Sequence, residues 1–207
     1  MPTLQFTTPG MSLSDATDAT KRLQERLVAL IDLELTLKHV HWNVVGPTFI
    51  GVHEMIDPQV AAVRLMVDAT AERIATLGGS PNGLPGNLVA QRSWDDYDLL
   101  RDGVLAHLGA LDVVYTGVVS GHREAVEAFE ELDPITQDML IDQTQKLEQF
   151  HWFVRAHLED KGGVLATRGA TTEQQAATRA SRRETTGTRE ATGTNGKSNG
   201  KRARRKN

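Results

Sequence analysis

The chain has 207 residues, no cysteine, seven histidines and a formal charge of −4. That sum hides a division: residues 1–160 hold 11 Lys and Arg against 24 Asp and Glu and carry all ten aromatics, whereas residues 161–207 hold 12 basic against 3 acidic residues. Without cysteine, disulfides, thiolate zinc sites, iron–sulfur clusters and thiol nucleophiles are excluded, so metal chemistry falls to His, Asp and Glu.

The N-terminus has no basic segment leading into an apolar one, and no apolar run approaches the ~20 residues that span a bilayer, which predicts a soluble cytoplasmic protein without a membrane partner. Neither GxGxxG nor GxxxxGK[ST] occurs, so nucleotide binding has no support. Residues 1–11 read as a flexible N-terminal segment before an all-α bundle over residues 12–162. The first helix opens at the capping cluster Ser12–Asp15 and runs to about Val45, with one stripe at Leu23, Leu27, Leu30 and Leu37 and a second at Val28, Ile31, Leu35 and Trp42. Two stripes on one helix predict burial on two sides, as in a bundle that also oligomerises.

The second helix covers about Thr48 to Leu77 with apolar residues every three or four positions, kinked but not broken at Pro58, and Gly78-Gly79 closes it. Residues 80–92, with two prolines and two more glycines, predict a long connection containing a short helix near Asn87–Gln91. Ser93 and Asp96 resemble a capping box opening a third helix with the stripe Tyr97, Leu100, Val104, Leu108, Leu111 and Tyr115. Asp133-Pro134 starts the fourth, which continues through Leu140, Leu147, Phe150 and Val154 to Lys161. Two long helices, a long link and two more helices make the ferritin-like four-helix topology.

The residues with chemistry are His41, His53, Asp57, Asp68 and Glu72. His53 and Asp57 are four apart, as are Asp68 and Glu72, so each pair shares a helix face and forms a half-site. A lone pair of this kind is also what an ordinary solvated face presents. His53 and Asp68 stand roughly 22 Å apart along the axis, whereas metal–ligand bonds are ~2 Å. One helix therefore cannot close both pairs on one ion. A two-fold axis near Ala61–Val63 removes the difficulty, because an antiparallel copy sets His53 and Asp57 of one chain against Asp68 and Glu72 of the other, giving two equivalent sites per dimer. His41 completes the set from the first helix. Two imidazoles and three carboxylates suit iron, manganese or zinc. Glu34 and His39 read as polar residues between helices, and His107, His122, His151 and His157, lacking a paired carboxylate frame, as surface or satisfied core histidines. Trp42 reads as core packing, with a sacrificial electron donor as the alternative.

The run LTLKHVHWNVVGPTFIGVHEMIDPQV, followed by VDATAERIATLGG, resembles the signature of the Dps family, dodecameric mini-ferritins that protect bacterial DNA during starvation. The resemblance covers about residues 12–162 and rests on the specific pattern HWNVxGxxFxxxHxxxD…DxxxER. It implies that His41, His53 and Asp57 from one subunit and Asp68 and Glu72 from its neighbour bind iron (Fe2+/Fe3+), that hydrogen peroxide in preference to oxygen oxidises it, and that a hollow homo-dodecamer stores the ferric product. Pro58 directly after Asp57 departs from the pattern and puts that ligand in doubt. The acids Glu130, Glu131, Asp133, Asp138 and Asp142 fall where the family has three-fold pores, and carboxylates in a narrow passage concentrate cations; a solvated helix start reads equally well.

From residue 166 onward there is no Val, Ile, Leu, Met, Phe, Trp or Tyr, so residues 163–207 read as a disordered basic tail. Arg179, Arg182, Arg183, Arg189, Lys197, Lys201, Arg202, Arg204, Arg205 and Lys206 are its candidate contacts to DNA, made through phosphates without reading sequence. The expected function is a cytoplasmic, nucleoid-associated ferroxidase that stores iron and protects DNA. The rival is a nucleoid-compacting structural protein whose metal sites only cement the dimer. A di-metal oxidase acting on an organic substrate is a third class, for which the sequence offers no substrate pocket.

Overall fold

Ser12 accepts the Asp15 N–H on its hydroxyl at 3.0 Å and so caps the first helix. The structure, a computed structural model, describes the backbone of residues 4–192 and the side chains of residues 4–182. Its elements are α1 (Leu13–Asn43), β1 (Val44–Val45), α2 (Phe49–Thr76), α3 (Pro85–Gln91), β2 (Asp102–Gly103), α4 (Val104–Ala128), α5 (Pro134–Leu158) and α6 (Glu173–Thr192). α1 with α2 and α4 with α5 form two antiparallel hairpins whose core has two parts: Leu30, Leu33 and Leu37 of α1 meet Ile56 and Val63 of α2, Leu108 and Leu111 of α4 and Leu147 of α5, while Leu23 and Leu27 of α1 pack with Ile74, Leu77, Phe129 and Leu140. α2 runs unbroken through Pro58. The predicted ferritin-like bundle with its long middle connection is present.

The third helix starts at Val104, not near Ser93. The link has to travel the length of α1, and its anchors record the journey. Gln24 and Asn82 exchange two hydrogen bonds at 2.9 Å, the Trp94 indole N–H donates to Asp32 at 2.7 Å, and the His39 ring N–H donates to the Leu99 carbonyl at 2.8 Å. Val44 and Val45 then pair in parallel with Asp102 and Gly103. From Gln24 to Val44, α1 rises about 30 Å. At Ser93 the chain has reached only Asp32, so a helix begun there would start mid-bundle; residues 92–101 stay outside any helix and finish the distance. Tyr97 accordingly lies outside the helix, and Leu100, placed in its stripe by sequence, is exposed.

α4 alone among the described helices is long and apolar enough by composition to cross a bilayer, contrary to the sequence reading. It is instead the central helix, packed by α1, α5 and α6.

The expected disorder from residue 163 is corrected over the segment up to Thr192. Asp160 accepts the N–H groups of Gly162 and Val164 at 2.8 and 2.9 Å, and Gly163 turns the chain at φ 81°. The chain folds back along the end of α5 and enters α6, whose Ala176, Ala177 and Ala180 are buried against α4. Gly109 permits this closeness: a Cβ there would lie 2.7 Å from the Ala176 carbonyl oxygen. A helix without large apolar residues thus docks through methyl groups on a glycine.

Glu173 opens α6, and its carboxylate accepts the Asp98 N–H at 2.8 Å. Burial pushes its pKa up to about 7, with Asp98 and Asp32 adding repulsion. A raised folded pKa means that the stabilisation is full below the ordinary value of about 4.3 and is lost as pH rises through 7. Amide exchange in α6 is therefore expected to quicken between about pH 5 and pH 8 beyond the intrinsic rate change. Glu173→Gln should remove that excess; its persistence in the variant would assign it to another group.

Candidate metal centre

His41 ends α1 and His53 lies one turn into α2, so the turn between the helices stacks their rings with centroids 3.6 Å apart. Their hydrogen bonds are reciprocal: His41 Nδ1 lies 3.0 Å from the His53 carbonyl oxygen and His53 Nδ1 lies 2.9 Å from that of His41. A carbonyl only accepts, so both rings carry their proton on Nδ1. In the neutral ring this tautomer leaves the lone pair on Nε2, the nitrogen through which imidazole then ligates a metal.

Asp57 Oδ1 stands 3.3 Å from His41 Nδ1 and accepts from Lys38 Nζ at 2.7 Å. The Lys38 hydrogen bond, helped by His41 and His53, holds its carboxyl below the usual range although partial desolvation opposes this. Pro58 has not turned Asp57 away. His41, His53 and Asp57 therefore form one cluster within a chain. His41 is buried, His53 half-buried and Asp57 exposed.

Asp68 and Glu72 lie further along α2, both exposed and free of ion pairs among the described residues. Among those residues no three His, Asp or Glu side chains of one chain form a group suited to a metal ion. The surface around the two half-sites is apolar. Trp42 is 71% exposed and Leu65, between the half-sites, also 71%; Leu35, Phe49 and Ile50 are exposed nearby. Trp42 is thus not core packing within the chain, and the second stripe of α1 ends in solvent at Leu35 and Trp42. A patch of this kind marks an interaction face. Glu34 lies on this side in an ion pair with Arg64 at 2.8 Å, and His39, two residues before His41 and so about 200° round the helix from it, turns to the crossover and the Leu99 carbonyl.

Glu131, Asp138 and Asp142 are exposed around the start of α5. Asp133 differs, because it is buried, pairs with Arg73 at 2.6 Å and accepts the Thr136 hydroxyl. Its charge serves an intrachain ion pair, which separates it from the exposed acids. Arg179 and Arg182 are exposed on α6, with Arg179 bonded to the Arg168 carbonyl. The side chains of Arg183 and Arg189, and all of Lys197, Lys201, Arg202, Arg204, Arg205 and Lys206, lie outside the described residues.

One polar cluster escaped the sequence. Asp112 Oδ1 accepts from His151 Nε2 at 2.7 Å and from Arg155 Nε at 2.8 Å, while Oδ2 accepts the Thr167 hydroxyl at 2.5 Å. Burial favours the protonated acid, yet these three donors together hold Asp112 far below the usual carboxylate range. His151 thus has a carboxylate partner after all, 39 residues away on another helix, where no spacing rule reaches it.

A bundle of two hairpins joined by a long crossover, with a His–Asp pair and an Asp–Glu pair as candidate half-sites on its second helix, is the ferritin-like arrangement, and a family model for the ferritin-like domain matches residues 20–162. Within that class the chain belongs to the Dps family. It is 57% identical over 178 residues to the DNA protection during starvation protein of Mycolicibacterium smegmatis, covering 86% of this chain and 97% of that one. The solved Mycobacterium smegmatis Dps superposes with a TM-score of 0.80 at 56% identity, covering 83% of this chain and 97% of that one. For DpsA14 from Streptomyces coelicolor the TM-score is 0.78 at 62% identity, with 79% and 97% covered.

Proposed function

We propose that this protein is a peroxide-using ferroxidase that stores iron in a hollow homo-dodecamer and protects DNA in the cytoplasm, at the nucleoid. Family membership supports iron sequestration and DNA protection; the residues support the finer reading. The observation that carries it is the reciprocal lock of His41 and His53, which occupies both Nδ1 atoms, leaves both Nε2 atoms for a metal and sets the pair next to Asp57, whose Oδ1 is 3.3 Å from His41 Nδ1. On the two-fold reading, Asp68 and Glu72 of a second copy complete each site. Iron is substrate and cargo: two Fe2+ each lose one electron, the pair of electrons cleaves the O–O bond of hydrogen peroxide, and water completes the ferric oxyhydroxide with release of protons. Consuming iron and peroxide together removes the reagents of hydroxyl-radical formation. The exposed Glu131, Asp138 and Asp142 are the proposed attractors for entering cations, and Asp133 contributes only through its pair with Arg73.

The test is to add Fe2+ without oxygen, then peroxide, and follow ferric absorbance. Rapid ferric formation that falls at least about a hundredfold in His53→Ala supports the reading, since even ligand-supporting residues are worth 10–100-fold. Unchanged oxidation in both His53→Ala and Asp68→Ala would favour the rival, in which metal only cements the dimer.

DNA binding is assigned to the basic C-terminal segment. A chain cut after Thr192 loses Lys197, Lys201, Arg202, Arg204, Arg205 and Lys206 but keeps α6 and its packing. Its gel shift is expected to weaken strongly and its salt dependence to flatten, because each lost phosphate contact removes about 0.9 from the slope of log K against log salt. An unchanged shift would place binding elsewhere.

A further inference from the structure

Between α1, α4, the crossover and the first turn of α6 lies a cavity of about 420 Å³. None of its lining residues belongs to the candidate metal centre. Its volume lies in the range of small-molecule sites, roughly 300–1,000 Å³. Leu33, Val114 and Val118 give it an apolar floor, and Gly117 adds no side chain to that floor. Trp94 and Tyr97 supply aromatic walls.

The polar lining is strongly one-sided. Four carboxylates, Asp32, Asp95, Glu124 and Glu173, face the cavity against the single guanidinium of Arg26. Arg26 is drawn toward Glu25 and Glu124 and lies over Gly121, where a Cβ would stand 2.0 Å from its Nη1. Its charge is thus answered at one end. At the other end Asp32 accepts the Trp94 indole N–H and pairs with Arg92 at 3.4 Å, and among the described residues Glu173 accepts only the Asp98 backbone N–H. Burial has already raised the Glu173 carboxyl to about 7. Among the described residues these carboxylates do not form a group suited to a metal ion.

From this arrangement we infer that the cavity is a binding site for a compact organic ammonium ion with an apolar body. The ammonium pairs with Glu173 and Asp32 and faces the Trp94 and Tyr97 rings, where cation–π attraction adds to the ion pair. The apolar body covers Leu33, Val114 and Val118. An anion would meet the excess of carboxylates, and a hydrated metal ion would leave the apolar floor uncovered.

The test is calorimetric titration of the full-length protein with three probes of one skeleton: 2-phenylethylammonium, 2-phenylethanol and phenylacetate. The ammonium is expected to bind at least about tenfold more tightly than the alcohol, and phenylacetate not to bind. Gly117→Leu fills the cavity. Nothing lies within 4 Å of the Cβ position at Gly117, and leucine is the better helix former, so the variant is expected to keep its melting temperature while losing the ammonium. Glu173→Gln should weaken ammonium binding several-fold and leave the alcohol unchanged. Equal affinity for ammonium and alcohol, binding of phenylacetate, retention in Gly117→Leu, or no heat at millimolar ammonium would each overturn the assignment.

Discussion

Two variants that are each inactive, His53→Ala and Asp68→Ala, are expected to recover ferroxidase activity when assembled together. On the proposed two-fold, every site takes His41, His53 and Asp57 from one chain and Asp68 and Glu72 from the other. A dimer of one variant with the other therefore concentrates both defects in one site and leaves the second site whole. Random pairing makes half of the dimers mixed, and each carries one intact site of two, so the mixture should show about a quarter of wild-type activity. Either variant alone should fall at least about a hundredfold. The measurement is peroxide-driven ferric absorbance of proteins co-expressed or refolded together. If each chain built its own site, the mixture would show only the average of two dead proteins. Asp68 suits the experiment because it is exposed and supports no ion pair within the chain among the described residues. His53→Ala also removes a donor to the His41 carbonyl, so its assembled state is checked by particle mass.

The candidate half-sites could be proposed from sequence because both pairs obey the i, i+4 rule, which holds along one helix whatever surrounds it. Their incompleteness within one chain was legible from helical rise alone. What escaped the sequence depends on distances that no local rule encodes. α6 was read as disorder because the composition test weighs large apolar side chains, whereas this helix docks through Ala176, Ala177 and Ala180 onto a glycine; the Gly109-Ala110 pair in α4 was the available signal. The start of α4 was misplaced because a capping box at Ser93 is a local preference, and the need to traverse α1 overrode it. Trp42 was assigned to the core from its stripe, yet periodicity says only that a face is apolar. Whether that face meets the same chain or another copy is a tertiary fact. Asp112 sits within an apolar helix, where its three donors come from α5 and from the segment beyond it.

Asp112→Ala is expected to be the most destabilising single substitution outside the apolar core. It would leave His151, Arg155 and Thr167 without their shared acceptor, and removing one partner of a buried charged network costs about 3–5 kcal/mol. In a domain of this size that lowers Tm by about 6–20 °C. Asp112→Asn keeps one oxygen acceptor and loses the charge, so it should fall between wild type and alanine. The pH dependence follows from the depressed folded pKa. The carboxylate's contribution is fully present above the ordinary Asp value of about 3.9 and is lost only as pH falls through the much lower folded value. The gap in stability between wild type and Asp112→Ala should therefore stay level from about pH 5 to pH 8 and close only in strong acid. Because Thr167 ties the segment after α5 to this carboxylate, amide exchange over residues 163–182 should quicken more in the variant than exchange in α1 or α2. A uniform rise across the bundle would show that Asp112 supports the four helices alone, and that α6, with the basic segment it carries, is held by its Gly109 contact and Glu173 without this anchor.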